Sequence, residues 1–346
     1  KMSKSLGNVI APQEIIKAHG AEILRLWASA EDYRDDVRIS DEILNRLVEA
    51  YRRVRNTARF LLGNLYDFHP EKDSVQPPAM AELDRWILHR TQEILARCRE
   101  AYDRFEFHIV YHSLNNFCSV DLSALYLDIV KDRLYCEGAN SKERRSAQTA
   151  MYRIVETLVH LMAPILSFTA EEIWGYLPDQ DGRSESIFLS TLPTPDENLI
   201  DEKLGNDWEK IFKVRGEILK ALESARNAGL IGHSLDAKIV LFPDAYTQDA
   251  SLLSLIRNSQ KRWPEILIVS QVELGKGPLD ASGTTEPAQA AVSYPSALLG
   301  GPVVVSKADG EKCQRCWNYS RSVGTDPSHP TVCERCSRVL RSGVSP

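Results

Sequence analysis

Apolar residues between positions 41 and 66 recur three and four apart: Leu44, Leu47, Tyr51, Val54, Ala58, Leu61 and Leu65. That period lays a single stripe along an α-helix, so a long amphipathic helix with one buried face is predicted here. Ser40 stands where an N-cap belongs, and Asp41 and Glu42 place carboxylates against the positive end of the helix dipole. The same period predicts helices near 82–104, 108–136 and 142–163, with Gly138-Ala139-Asn140 separating the second from the third. Pro164 ends or kinks the last of these, and Thr169-x-x-Glu172 reads as a capping box opening another helix through Trp174. Upstream, Pro12 suits a first helical turn and Gly20 a C-terminal cap. Residues 1–40 thus read as a loop and two short helices, the second over Ala21–Ala30. Antiparallel helices joined by such short connections make a bundle.

The pattern changes after Pro178. Pro, Asp, Ser and Gly dominate 178–198, which reads as a linker, and a helix over 206–228 is predicted to end at Gly229. The apolar runs Ala237–Phe242 and Ile266–Val269 predict strands, with a helical stretch around Ser251–Arg262 between them. Residues 275–293 have the composition of a flexible connector. The chain therefore divides into 1–40, a helical region 41–205, a small α/β region 206–300 and a cysteine-bearing region 301–346.

Composition narrows the class. At 346 residues the chain exceeds one compact core, and 43% hydrophobic with 26% charged residues is ordinary globular content. No apolar run reaches the roughly 18 residues of a membrane span, and there is no secretory signal. The chain opens inside a motif rather than on a Met, which reads as a piece of something longer. A net charge of −6 excludes a protein coated in positive charge but leaves local basic patches open. Of seven cysteines, four crowd the C-terminus while Cys98, Cys118 and Cys136 are scattered through helical sequence. That is no disulfide framework, and a reducing cytoplasm suits it better.

Four features carry chemistry. Cys313-Gln314-Arg315-Cys316 and Cys333-Glu334-Arg335-Cys336 present two pairs of thiolates from two tight turns, the tetrahedral sulfur set that zinc prefers. With no βαβ pattern around either pair, one structural zinc is expected, with no open position for catalysis. Lys312, Arg315, Arg321, Arg335, Arg338 and Arg341 outnumber the acids around it, and Trp317 stands beside it. A positive knuckle with a stackable ring suits single-stranded or looped nucleic acid; equally, Trp317 could serve only to pack the zinc module. The helix over 41–66 carries Arg46, Arg52, Arg53, Arg55 and Arg59 off its apolar stripe, either as a solvated face or as phosphate contacts. At the N-terminus, Lys1-Met2-Ser3-Lys4-Ser5 sets two ammonium groups three residues apart among small hydroxyl residues, an arrangement suited to a loop closing over phosphates. His108 and His112 are spaced i, i+4, but with no Glu between them and Phe105, Phe107 and Phe117 around them they read as packed core.

Taken together, several stretches resemble bacterial-type isoleucyl-tRNA synthetase, a class I aminoacyl-tRNA synthetase: Lys1 to Ile10, Arg55 to Leu65, Leu83-Asp84-Arg85-Trp86, Asp121-Leu122-Ser123, Lys131 to Tyr135, Arg144 to Thr149 and Met162 to Ile165. The four-cysteine knuckle resembles that family's terminal zinc module, which the valyl, leucyl and methionyl relatives lack after this helix set. The resemblance implies a mainly α fold. It comprises the last edge of a Rossmann-type catalytic domain (1–40), a helix-bundle anticodon-binding domain (41–205), a small α/β domain (206–300) and a zinc module (301–346). It implies activation of isoleucine with ATP and Mg²⁺, then transfer to tRNA(Ile). Lys4 would bind ATP with Lys1 and Ser3 assisting, Lys4 and Lys1 acting in catalysis. Arg52, Arg53, Arg55, Arg315 and Trp317 would face tRNA, and Cys313, Cys316, Cys333 and Cys336 would hold the metal. A monomeric, cytoplasmic protein without membrane contact is implied. The family's His-Ile-Gly-His motif, amino-acid pocket and editing domain are absent from these residues, so the chain alone is expected not to form adenylate. A free-standing RNA-binding zinc module is the alternative. A DNA-repair glycosylase, which shares such cysteine pairs, does not accommodate the helix bundle or the opening loop.

Overall fold

A computed structural model describes residues 2, 5, 9–275 and 290–343, so Lys1, Ser3 and Lys4 lie outside the described residues. The chain forms two compact units, one built from 1–128 with 142–201 and the other from 129–141 with 202–346.

The first unit is helical. Helices α1 (Pro12–His19) and α2 (Ala21–Ala30) form as the sequence implies: Pro12 occupies the first turn and Gly20, at φ 91°, donates its N–H to the Ile16 carbonyl. Helix α3 (Asp41–Gly63) starts at Ser40, whose hydroxyl accepts the Ile43 N–H, and buries Leu44, Leu47, Ala50, Val54, Thr57, Ala58 and Leu61. Helix α4 (Glu82–Asp103) packs against α5 (Phe107–Asn116) and α7 (Lys142–Met162), with α6 (Lys131–Cys136) belonging to the other unit. The helix expected over 108–136 is not continuous. After α5 the backbone widens into π-type turns over Phe117–Tyr126. Ser123 donates its hydroxyl to the Cys118 carbonyl five residues back, 2.7 Å away, which favours that wider turn.

Helix α8 (Ser167–Trp174) does form, but not through the expected capping box. Its N-cap is Leu166, which has no capping side chain, and Glu22 of α2 accepts the free Phe168 N–H at 2.9 Å instead. The Thr169 hydroxyl bonds Tyr51 (2.9 Å) and Glu22, while Glu172 turns to Arg55. Arg25, one turn beyond Glu22, donates to the Ile165 and Pro164 carbonyls at 2.8 and 2.7 Å. One helix thus supplies a carboxylate to a helix N-terminus and a guanidinium to the carbonyls after α7, each matching the local dipole.

In the second unit, α9 (Glu202–Asn227) packs on a four-stranded sheet of order β2-β1-β4-β3. Strand β1 (Ala237–Leu241) runs parallel to β2 (Gln271–Leu274) and antiparallel to β4 (Gly301–Lys307), which pairs antiparallel with β3 (Ala291–Ser296). Ile239 faces Val272 on one side and Val305 on the other, and Ala237, Ile239 and Leu241 are buried. After helix α10 (Ala250–Asn258), the expected strand over Ile266–Val269 is instead helix α11 (Trp263–Leu267). Pro264 is preset for a first helical turn, and buried Trp263 donates its indole N–H to the Ile256 carbonyl at 3.0 Å. Ile268, at φ 54°, then ends the helix, and the strand begins three residues later. Of the expected connector, 276–289 lie outside the described residues, and Ala291–Ser296 is a strand.

Candidate zinc centre and nucleic-acid face

The chain after β4 makes a short hairpin, β5 (Glu311–Lys312) with β6 (Tyr319–Ser320), and closes on helix α12 (Glu334–Arg341). The first cysteine pair sits on the hairpin, where Cys313 N–H reaches the Asn318 carbonyl and Trp317 N–H the Cys313 carbonyl, each at 2.9 Å. The second pair opens α12, with Cys333 at its N-cap position. Gly310, at φ 86°, lies against the Ser320–Arg321 backbone, where any Cβ would collide. All four cysteines are buried, and their sulfurs lie within 4.8 Å of one another, Cys316 and Cys333 being 3.8 Å apart. The Cys333 N–H points at the Cys313 sulfur, 3.3 Å away. No carboxylate or imidazole belongs to the set, so the donors fit one structural zinc ion, which when bound would supply most of the module's folding energy.

A symmetry within the motif governs the surrounding charges. Each pair carries Arg as its third residue, and both arginines turn toward residues 132–137. Arg315 donates to the Cys136 and Tyr135 carbonyls. Arg335 forks onto Asp132 at 2.5 and 2.8 Å and lies 3.5 Å from Glu137. Cys136 joins the apolar cluster of the four cysteines and Val332. No local pattern announces that Asp132, Cys136 and Glu137 serve the knuckle, although the repeated Cys-x-Arg-Cys spacing is a signal for the arginines. Arg321, Arg338 and Arg341 are paired too, with Asp309 (2.8 Å), Glu334 (3.6 Å) and Asp326 (2.6 Å). Little of the positive surface expected here is therefore free. Trp317 does not pack the module: it is 59% exposed at φ 65°, with the Lys312 ammonium 5.4 Å from its ring.

On α3 the arginines are disposed otherwise. Arg52 pairs with Glu49 in the preceding turn at 2.8 Å, and Arg55 grips both oxygens of Glu172 at 2.6 and 2.7 Å. Arg53 and Arg59 are exposed, with no carboxylate paired to either among the described residues. The two histidines expected in packed core part ways: His108 is largely covered, with its Nδ1 buried, and His112 is not. His112 is exposed, and His108 lies 4.0 Å from Asp32, while α5 buries Val110, Ser113 and Leu114. Burial pushes the Cys98 and Cys118 thiols up to about 11 and 12, which leaves them as inert core.

Three family models match in order along the chain: "tRNA synthetases class I (I, L, M and V)" over 1–40, "Anticodon-binding domain of tRNA ligase" over 84–241, and "Zinc finger found in FPG and IleRS" over 310–339. The isoleucine–tRNA ligase of Syntrophotalea carbinolica is 49% identical over 98% of this chain. The chain belongs to the isoleucine–tRNA ligase family. The ligases of Geobacter sulfurreducens and Moorella thermoacetica are 49% and 47% identical, each over 99% of the chain. The chain spans about a third of the length of these relatives, 35% in each case. No helix among the described residues is long and apolar enough to cross a membrane.

Proposed function

We propose that this chain is the tRNA-holding part of an isoleucine–tRNA ligase, which activates isoleucine with ATP and Mg²⁺ and transfers it to the terminal ribose of tRNA(Ile). The order of the three family matches carries the reading: synthetase edge, anticodon-binding helices and zinc finger follow one another on one chain. Lys4, with Lys1 and Ser3, would stabilise charge on the reacting phosphates. Residues 1–40 would complete a catalytic domain, 41–205 bind the anticodon arm, 206–300 bridge, and 301–346 form the zinc module. Cys313, Cys316, Cys333 and Cys336 would hold zinc for structure alone. The arginines of α3 (Arg52, Arg53 and Arg55) would meet phosphates, and Trp317 would offer an unstacked base its ring, with Arg315 fixing the loop beneath it. A cytoplasmic monomer accords with the family.

The 346-residue chain should bind a tRNA(Ile) transcript more tightly than an unrelated tRNA in fluorescence anisotropy, and should show no isoleucine-dependent ATP–pyrophosphate exchange. Equal affinity for both tRNAs would remove the anticodon assignment. Exchange by the chain alone would overturn the view that the amino-acid pocket lies elsewhere.

A further inference from the structure

Arg52, Arg55 and Arg59 follow one another at spacings of three and four, so they form one stripe along α3. Arg55 sits at its centre and is the one arginine of the stripe held by another helix, through both oxygens of Glu172. A guanidinium fork accepts two oxygens of a phosphate in the same geometry as two oxygens of a carboxylate. Glu172 therefore fills the place a backbone phosphate would take. Its own helix cannot follow Arg55 outward, because Thr169, one turn before, is bonded to Tyr51 of α3 and to Glu22 of α2. Both side chains are about half-exposed, 41% and 48%, so the pair is weak enough to exchange and open to solvent.

We infer that Glu172 is a specificity-determining residue that occupies the Arg55 fork as a phosphate stand-in. RNA gains Arg55 only where its shape places a phosphate firmly enough to displace the carboxylate. This rests on the reading of α3 as a tRNA-facing helix. Loosely held RNA is drawn by charge alone and gains nothing from an arginine already neutralised; shape-matched tRNA does. A carboxylate that stays on the fork also repels the strand that failed to displace it, which widens the difference.

Binding of a tRNA(Ile) transcript and of a random-sequence 20-nucleotide RNA to the full chain, across a salt series, tests this. Glu172→Gln should tighten the random RNA by roughly three- to tenfold and steepen its log–log salt slope by about 0.7, the contribution of one single-strand phosphate contact. The tRNA should tighten less, so discrimination falls. Arg55→Gln should weaken tRNA while leaving random RNA unchanged, and the double variant should lose the gain seen in Glu172→Gln. Equal tightening on both RNAs, an unchanged slope, or a gain that survives in the double variant would overturn the inference, since Glu172 would then act only as a general negative charge. If neither RNA binds any of the proteins, the tRNA-facing reading of α3 falls, and this inference with it. The single variants test the point separately, because each removes one half-exposed side chain and their melting temperatures should match the parent's.

Discussion

The zinc knuckle and helix α3 are both rich in arginine, yet they use it in opposite ways. Around the knuckle the guanidiniums are spent on the protein itself: Arg315 and Arg335 fasten the 132–137 segment, and Arg321, Arg338 and Arg341 neutralise nearby acids. On α3 the buried stripe and the Ser40 cap already secure the helix, so Arg53 and Arg59 remain in solvent without partners among the described residues. A module too small for its own apolar core recruits charge and metal to fold. A long amphipathic helix has no such need, and Arg53 and Arg59 are left over for a ligand. Counting arginines therefore says little about nucleic-acid binding until their partners are known.

The sharpest break of this contrast is metal loss. Cys333→Ser with Cys336→Ser should take zinc content from one ion per chain to none and abolish amide protection across 310–341. The loss is on the order of 10 kcal/mol of metal-linked folding energy, and helix α3 should keep its protection. Zinc retained in that variant would count against the assigned ligands. A smaller effect should follow from Arg335→Ala, which leaves the Asp132 carboxylate without its fork and should cost about 1–3 kcal/mol in urea unfolding. Arg53→Ala, by contrast, should change stability by no more than about 0.5 kcal/mol while flattening the salt dependence of tRNA binding. If the two substitutions cost the same stability, the division between fold-holding and ligand-facing arginines fails.

A third class of arginine is held inside the fold, and its effect depends on pH. Arg144 is buried and forks onto Asp67 at 2.7 and 2.9 Å, with Gln148 adding a bond at 2.8 Å. Burial pushes the Asp67 carboxyl up, but the bonds from Arg144 and Gln148 and the charges of Arg144 and Arg145 outweigh it, and the group sits below its ordinary value. A carboxyl held lower when folded than when unfolded contributes stability that is complete above about pH 4 and is lost as pH falls through the folded value. Asp67→Asn should lower stability at pH 7 and flatten that acid limb in urea titrations at stepped pH. An unaltered limb would show that the drop comes from other groups.

Most of the helices were legible in the sequence because their signals are local. The α3 stripe, the Ser40 cap, Pro12 and Gly20 each act within a turn or two, and each does what its chemistry implies. The four-cysteine cluster was legible for the same reason, since two tight turns need only meet once. What sequence misplaced was settled by distant partners. Thr169 and Glu172 have capping-box spacing, but Tyr51, Glu22 and Arg55 compete for them from more than a hundred residues away. Ile266–Val269 has strand composition, yet buried Trp263 and Pro264 commit it to a helical turn. Strand β4 has the valine run of a central strand, but its place beside β1 depends on a pairing that no local pattern announces.

The clasp between Arg335 and Asp132 also has a bearing on how this chain is made. Its two ends are 203 residues apart in sequence. At about 5–20 residues per second, a ribosome needs roughly 10–40 s to travel between them, far longer than helices take to form. Throughout that interval the 129–141 segment has emerged without the knuckle that will hold it, with Cys136 uncovered and Asp132 still awaiting Arg335. Capture of the earlier segment by this later-made module is then a slow step of maturation, and it waits on zinc supply. A cell short of zinc would accumulate chains whose helices are finished but whose middle is still exposed to proteases.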